Sequence, residues 1–250
     1  MKLFKGKVFV VLGADSVLGM EVITSVAPWE ARIVAVGEHK QSLDACVSEA
    51  MRYGSEAISV PLDMVKKKDY EAMLSQALQA YGRVDYLVLN TGKDFAPPFM
   101  EWSGLSTAQR LFTRYLTMPV YAIQLCLPYL TRNSGCIMNF SCSNENEPQP
   151  CSATLEAFLD KIDEEFRSSG SRVHVLNVPV GKYDSKRPNE GMGIIARSAV
   201  RALASKVASS RIDSSYSFGF RNFLAIMYPQ WVFDILYCRY CRRGTVKKMQ

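Results

Sequence analysis

Three groups of residues in this chain have types and spacings that could do chemistry. The first is LGADSVLG (12–19), which follows the short apolar run KVFVVLG (7–13). A phosphate is well placed at a helix N-terminus, where free N–H groups and the helix dipole favour negative charge. Gly13 suits a tight turn there, and Gly19 suits close approach of helix to strand. Asp15, Ser16, Val17 and Leu18 lie in the same turn. The second group is seven cysteines: Cys46, Cys126, Cys136, Cys142, Cys151, Cys238 and Cys241. A buried cysteine with no nearby cation stays a protonated small hydrophobe. CRYC (238–241) has CxxC spacing but no second Cys/His pair accompanies it, so no metal site is expected. The third is His174, which falls in an apolar strand-like run and is expected in the core rather than in catalysis.

The elements that must position these residues alternate. Short apolar strands are expected at 7–13, 32–37, 56–63, 83–92, 135–141 and 171–181. Helices are expected up to about Ala27, where Pro28 stops the first, then at 41–54, 67–81, near 106–131 as one long helix, and at 152–168. Parallel strands need helical crossovers, so the alternation predicts an α/β fold with a Rossmann-like, doubly wound parallel sheet. With 250 residues, 48% of them apolar, the chain has enough material for one such domain, expected over 1–215, with an aromatic and basic extension over 216–250. The net charge of +6 gathers at Lys66–Lys68 and after Arg239 and forms no stripe along the chain, so nucleic acid is not an expected partner. The run Val8–Leu12 is too short for the apolar part of a secretory leader, and reduced thiols facing the cytosol are expected.

The glycine turn, LNTG (89–92) after the fourth strand and Asp63 after the third resemble the short-chain dehydrogenase/reductase family. There the turn reads TGxxxGxG, the fourth strand ends in NNAG, and that Asp contacts adenine. RIVAVGEHKQSL (32–43), IIARSAVRALA (194–204) and YPQWVFDILY (228–237) are most similar to the hydroxysteroid dehydrogenase branch. The resemblance spans essentially the whole chain. It implies a dinucleotide held by Gly13, Asp15, Ser16, Leu18, Gly19, Glu38, Asp63, Asn90, Gly92 and Gly181, and NVPVGKYDS (177–185) resembles the segment that covers nicotinamide. Branch members that prefer NADP carry basic residues where this chain has Ser16 and Glu38. A carboxylate at Glu38 would accept a ribose 2′-hydroxyl bond and repel a 2′-phosphate, which makes NAD electrostatically easier than NADP. The family's middle Gly is Val17 here, whose branched Cβ intrudes where backbone must come close to phosphate, so weak binding of either nucleotide, or an empty vestigial crevice, is expected.

The resemblance also implies a reaction. In the family a Tyr hydroxyl exchanges a proton with the substrate oxygen while nicotinamide exchanges a hydride. A neighbouring Lys lowers the Tyr pKa from near 10 and holds the ribose. A Ser orients the substrate oxygen, and a helix Asn holds a water in the proton relay. Position by position, these four places carry Cys151 for Tyr, Leu155 for Lys, Cys142 for Ser and Tyr115 for Asn. No Tyr lies between Tyr129 and Tyr183 and no Lys between Arg132 and Lys161, so no shift of register restores the pair. Each lost acid/base group costs roughly 10²–10⁴ in rate. The family's hydride transfer is therefore expected to be lost. The alternatives are a rewired NAD(P)-dependent oxidoreductase acting on a steroid or other hydrophobic alcohol or ketone through Tyr115 or a thiol, and a non-catalytic partner in a homo- or heterodimer.

The segment 218–250 is dense in aromatics but is interrupted by Arg221, Pro229 and Asp234. No stretch of it reaches the roughly 18–20 apolar residues that span a bilayer. Aromatics followed by Arg239, Arg242, Arg243, Lys247 and Lys248 suit a helix in the membrane interface. Peripheral contact through 217–243 on the cytosolic face of the endoplasmic reticulum is expected, and the final KKMQ resembles a dilysine retrieval signal. The alternatives are a helical cap over the crevice, which could hold a hydrophobic small molecule or lipid, and a dimer contact.

Overall fold

A strand buried on both faces needs an unbroken apolar run, and Val8–Leu12 (β1) is buried at all five positions. Phe9 and Val11 point to one face of the sheet, where they pack with Val22, Ile23 and Ala199. Val8, Val10 and Leu12 point to the other, where they pack with Met73, Ile123 and Leu159. This period-2 division produces two cores, one on each side of the sheet. The computed structural model describes residues 3–92, 99–102, 104–142, 150–180 and 188–204, and the extension expected over 216–250 lies outside them.

In chain order, β1 leads to α1 (Val17–Val26), β2 (Arg32–Gly37), α2 (Lys40–Arg52), β3 (Glu56–Pro61), α3 (Lys67–Tyr81) and β4 (Tyr86–Leu89). Then come α4 (Leu105–Phe112), a π-helical segment (Thr113–Thr117), α5 (Met118–Asn133), β5 (Cys136–Cys142), α6 (Pro150–Ser168), β6 (His174–Val180) and α7 (Pro188–Ala204). The six strands are parallel in the order β3-β2-β1-β4-β5-β6. The order reverses between β1 and β4, and a crevice opens at the carboxyl ends of the strands at such a switch point. Asp85 joins the two halves there from below. Its side chain accepts bonds from Val8 N–H, Arg83 and Lys7, and its carbonyl accepts the Cys136 N–H.

Two expectations change. The long helix expected near 106–131 is broken into α4, a π segment and α5. Pro119 has no N–H to give the Tyr115 carbonyl, so the regular ladder fails and Met118 N–H reaches back five residues to the Thr113 carbonyl. His174, expected in the core, is exposed at the first position of β6, at the end of the sheet away from the crevice. The apolar run that suggested burial begins one residue before it at Val173, which is buried, and His174 sits where the strand has only just entered the sheet.

Candidate functional site

The turn after β1 is built from mutually satisfied polar groups. Gly13 has φ +69°, and a Cβ there would lie 2.0 Å from the Asn90 carbonyl oxygen. Only glycine fits both the left-handed backbone and that approach. A Cβ on Gly19 would lie 2.3 Å from the Gly13 carbonyl oxygen, which confirms the close helix–strand approach. Ser16 caps α1: its hydroxyl donates to Gly13 O at 2.9 Å and accepts from Gly19 N–H at 3.0 Å and from Asn90 Nδ2 at 2.7 Å. Asn90 Nδ2 also reaches Gly13 O at 3.1 Å. Leu18 points into the core behind the turn, and Val17, the first residue of α1, is half exposed at its mouth.

The far side of the crevice holds three carboxylates. Asp15 accepts the backbone N–H groups of Glu38 and His39 at 2.9 and 3.0 Å, tying the phosphate turn to the carboxyl end of β2. Asp63 is paired with Lys66 at 2.9 Å and accepts the Val65 N–H, and these contacts hold its carboxyl below the usual range. Gly92 follows β4 with φ +76°. Glu38 is the departure. Its carboxylate takes a bidentate pair from Arg114 of the π segment, at 2.8 and 2.5 Å, and the Arg114 bond lowers its pKa. Glu38, expected to repel a 2′-phosphate, thus has a counter-ion from a distant part of the chain. Pro119 was the signal that could have found Arg114, since it forces the wide turn that carries it.

The positions that carry the family's chemistry are drawn into apolar surroundings. Cys151, in the first turn of α6, is 2% exposed and packs with Tyr115 and Leu111, against which Trp102 also lies. The structure thus brings the Tyr and Asn positions together. Leu155 is 1% exposed among Leu159, Val173 and Val175. The Arg114 guanidinium lies 5.7 Å from the centroid of the Tyr115 ring. Cys142 ends β5, and nothing further is described of its side chain. Next to it, the Ser141 hydroxyl is buried and has no hydrogen-bond partner among the described residues. Cys46, Cys126, Cys136 and Cys151 form no disulfide, and burial pushes the thiols of Cys46, Cys126 and Cys136 up to about 11, 12 and 12. Gly181 lies outside the described residues, as do 217–243.

A dinucleotide fits one half of this crevice. The turn at Gly13 and Gly19, the N-terminus of α1 and the end of β2 are the parts that would hold pyrophosphate and adenosine. The other half does not fit: where the family has the Lys that holds ribose and activates Tyr, Leu155 is buried in hydrocarbon. No hydride-transfer step follows from these residues.

A model of the short chain dehydrogenase family matches residues 7–182. The 11-beta-hydroxysteroid dehydrogenase-like 5 protein of Arabidopsis thaliana is 30% identical over 140 residues, which are 55% of this chain and 36% of that one. The hydroxysteroid 11-beta-dehydrogenase 1-like protein of Xenopus tropicalis is 25% identical over 189 residues, 72% of this chain and 65% of that one. The match thus spans less than two thirds of either relative. Among solved structures, a metagenomic short-chain oxidoreductase in complex with NADP superposes with TM-score 0.69 at 24% identity, covering 84% of this chain and 97% of that one. An alcohol dehydrogenase from Thermococcus sibiricus complexed with 5-hydroxy-NADP gives TM-score 0.71 at 20% identity, covering 82% and 94%. These two likenesses establish the fold. The matched residues take in the glycine turn, all six strands and α6, and the chain belongs to the short chain dehydrogenase family, with its similarity running to the hydroxysteroid dehydrogenase-like branch.

Proposed function

We propose that this protein keeps the family's nucleotide-binding frame without its hydride transfer, and acts by binding a nucleotide or hydrophobic ligand. The observation that carries the reading is the environment of positions 151 and 155. A proton-transfer Tyr needs a hydroxyl in the crevice and a cation beside it. Cys151 and Leu155 supply neither and are packed as core. The test is a panel of steroid, retinoid and simple carbonyl substrates with NADH and NADPH, read as dinucleotide absorbance. No turnover above background is expected; steady turnover of any of them would sink the reading.

One observation favours a second reading, an NAD(P)-dependent oxidoreductase with a rewired site. Tyr115 is a phenol buried beside Cys151, with the Arg114 guanidinium 5.7 Å from its ring centroid. If it were the acid, Tyr115→Phe would abolish turnover that the unmodified chain shows. We also propose, from the sequence of 217–243, peripheral attachment to the endoplasmic reticulum and self-association or pairing with a relative. Among the described residues, no helix is long and apolar enough to cross a membrane. Fractionation of cells expressing the full chain or a version ending at Ser215 tests the attachment. Only the full chain should sediment with membranes in low salt, and solubility of both would refute it.

A further inference from the structure

We propose that Arg114 sets the ligand preference of the crevice: its guanidinium is a receptor for a phosphate monoester on the ligand's ribose, and Glu38 is an internal stand-in that competes for it. The proposal rests on the nucleotide-binding frame of the preceding reading but not on the loss of hydride transfer.

The place comes first. Glu38 directly follows β2, where an acidic residue in dinucleotide folds bonds the ribose 2′-hydroxyl. Its backbone cannot drift from the phosphate turn, because Asp15 of that turn holds the N–H groups of Glu38 and His39 at 2.9 and 3.0 Å. Arg114 reaches this point from the π segment, 76 residues away in sequence. The guanidinium therefore stands at the ribose corner at a spacing from the turn that is fixed by hydrogen bonds.

The chemistry comes second. A guanidinium presents a planar fork that matches a carboxylate and a phosphate in the same bidentate way. Here both prongs are on Glu38, at 2.8 and 2.5 Å. Each side chain of the pair is 32% exposed, so the pair is open to exchange with a ligand from solvent. A phosphate monoester carries more charge than a carboxylate and displaces it on the fork when the carboxylate is weakened. The other carboxylates at this corner already have partners: Asp63 has Lys66 at 2.9 Å, and Asp15 has its two N–H groups. None is free to replace Glu38. Thus the residue expected to exclude a 2′-phosphate is, through Arg114, the residue that masks a site for one.

The test is calorimetric titration of the full chain at about pH 7.5, where the monoester is mostly dianionic. NADPH and NADH are the probes, with 2′-AMP and 5′-AMP as probes of the ribose corner alone. The unmodified protein should bind the two dinucleotides weakly and within about threefold of each other. Glu38→Gln should favour NADPH over NADH, and 2′-AMP over 5′-AMP, by about tenfold or more. Adding Arg114→Met should remove that preference. Glu38→Thr serves as a second variant, with circular dichroism to confirm folding of each protein. Equal affinities in both Glu38 variants, a preference that survives Arg114→Met, or no binding of 2′-AMP would each overturn the proposal. Turnover of a substrate, by contrast, would overturn the loss of hydride transfer and leave the ribose-corner preference standing.

Discussion

At the carboxyl end of β1, Gly13, Ser16, Gly19 and Asn90 are bonded to one another and match the family's nucleotide turn. At the first turns of α6, Cys151 and Leu155, the positions to which the resemblance assigns the family's Tyr and Lys, are packed in apolar clusters. The contrast separates two kinds of functional residue. The turn residues shape the backbone, so changing them costs stability whether or not a ligand binds. The catalytic Tyr and Lys of the family present polar atoms to a cleft, and apolar replacements there gain burial that the active residues forgo. A region can thus keep the form of a nucleotide site while its neighbour is packed as apolar core.

The contrast is broken most forcefully at Gly13. Alanine there would face the Asn90 carbonyl at 2.0 Å with φ +69°, and Gly13→Ala should cost about 4 kcal/mol or prevent folding. Urea denaturation measures this, and a loss below about 1 kcal/mol would show that the turn relaxes and is not a framework element. Next comes an attempt to restore the other region. Leu155→Lys places an ammonium among Leu159, Val173 and Val175, and should cost about 3–5 kcal/mol. Combined with Cys151→Tyr it should therefore give a destabilised protein with at most trace reduction. A stable double variant with robust turnover would show that the site is only two residues from activity.

The seam between the regions gives a pH-dependent test. Burial alone would raise the Asp85 pKa, but bonds from Arg83, Val8 N–H and Lys7 outweigh it and hold the carboxyl below its usual range. Asp85→Asn should cost about 2–4 kcal/mol at neutral pH. A depressed folded pKa gives stability that is complete above the unfolded value of about 3.9 and is lost as pH falls through the folded one. The gap between the two proteins should therefore close only below about pH 4. A gap unchanged by acid would mean that the charge of Asp85 is not what holds the seam. The smallest effect is expected at Val17, exposed at the mouth of the turn. Val17→Gly should lose less than about 1 kcal/mol of helix stability and tighten NADH by about threefold. If NADH binding is unchanged, the branched side chain is not what obstructs the phosphate.

The strands and the doubly wound parallel class of the sheet were determined by the sequence itself. Unbroken apolar runs such as Val8–Leu12 and helical segments such as 67–81 are local patterns, and α3 begins and ends at the residues expected. The absence of Tyr between Tyr129 and Tyr183 and of Lys between Arg132 and Lys161 is legible for a different reason: folding can move side chains but cannot supply a residue type that the neighbourhood lacks. Only the tertiary structure decided the rest. Glu38 and Arg114 meet across 76 residues, Asp15 holds backbone groups 23 and 24 residues away, and Asp85 gathers Lys7, Val8 and Arg83. His174 left the core because a strand's entry point depends on its neighbours' register and not on its own apolar run. Periodicity records which face of an element is apolar. Which charges meet across the crevice depends on how the strands stagger and where one proline opens a helix, and that geometry exists only once the sheet has closed.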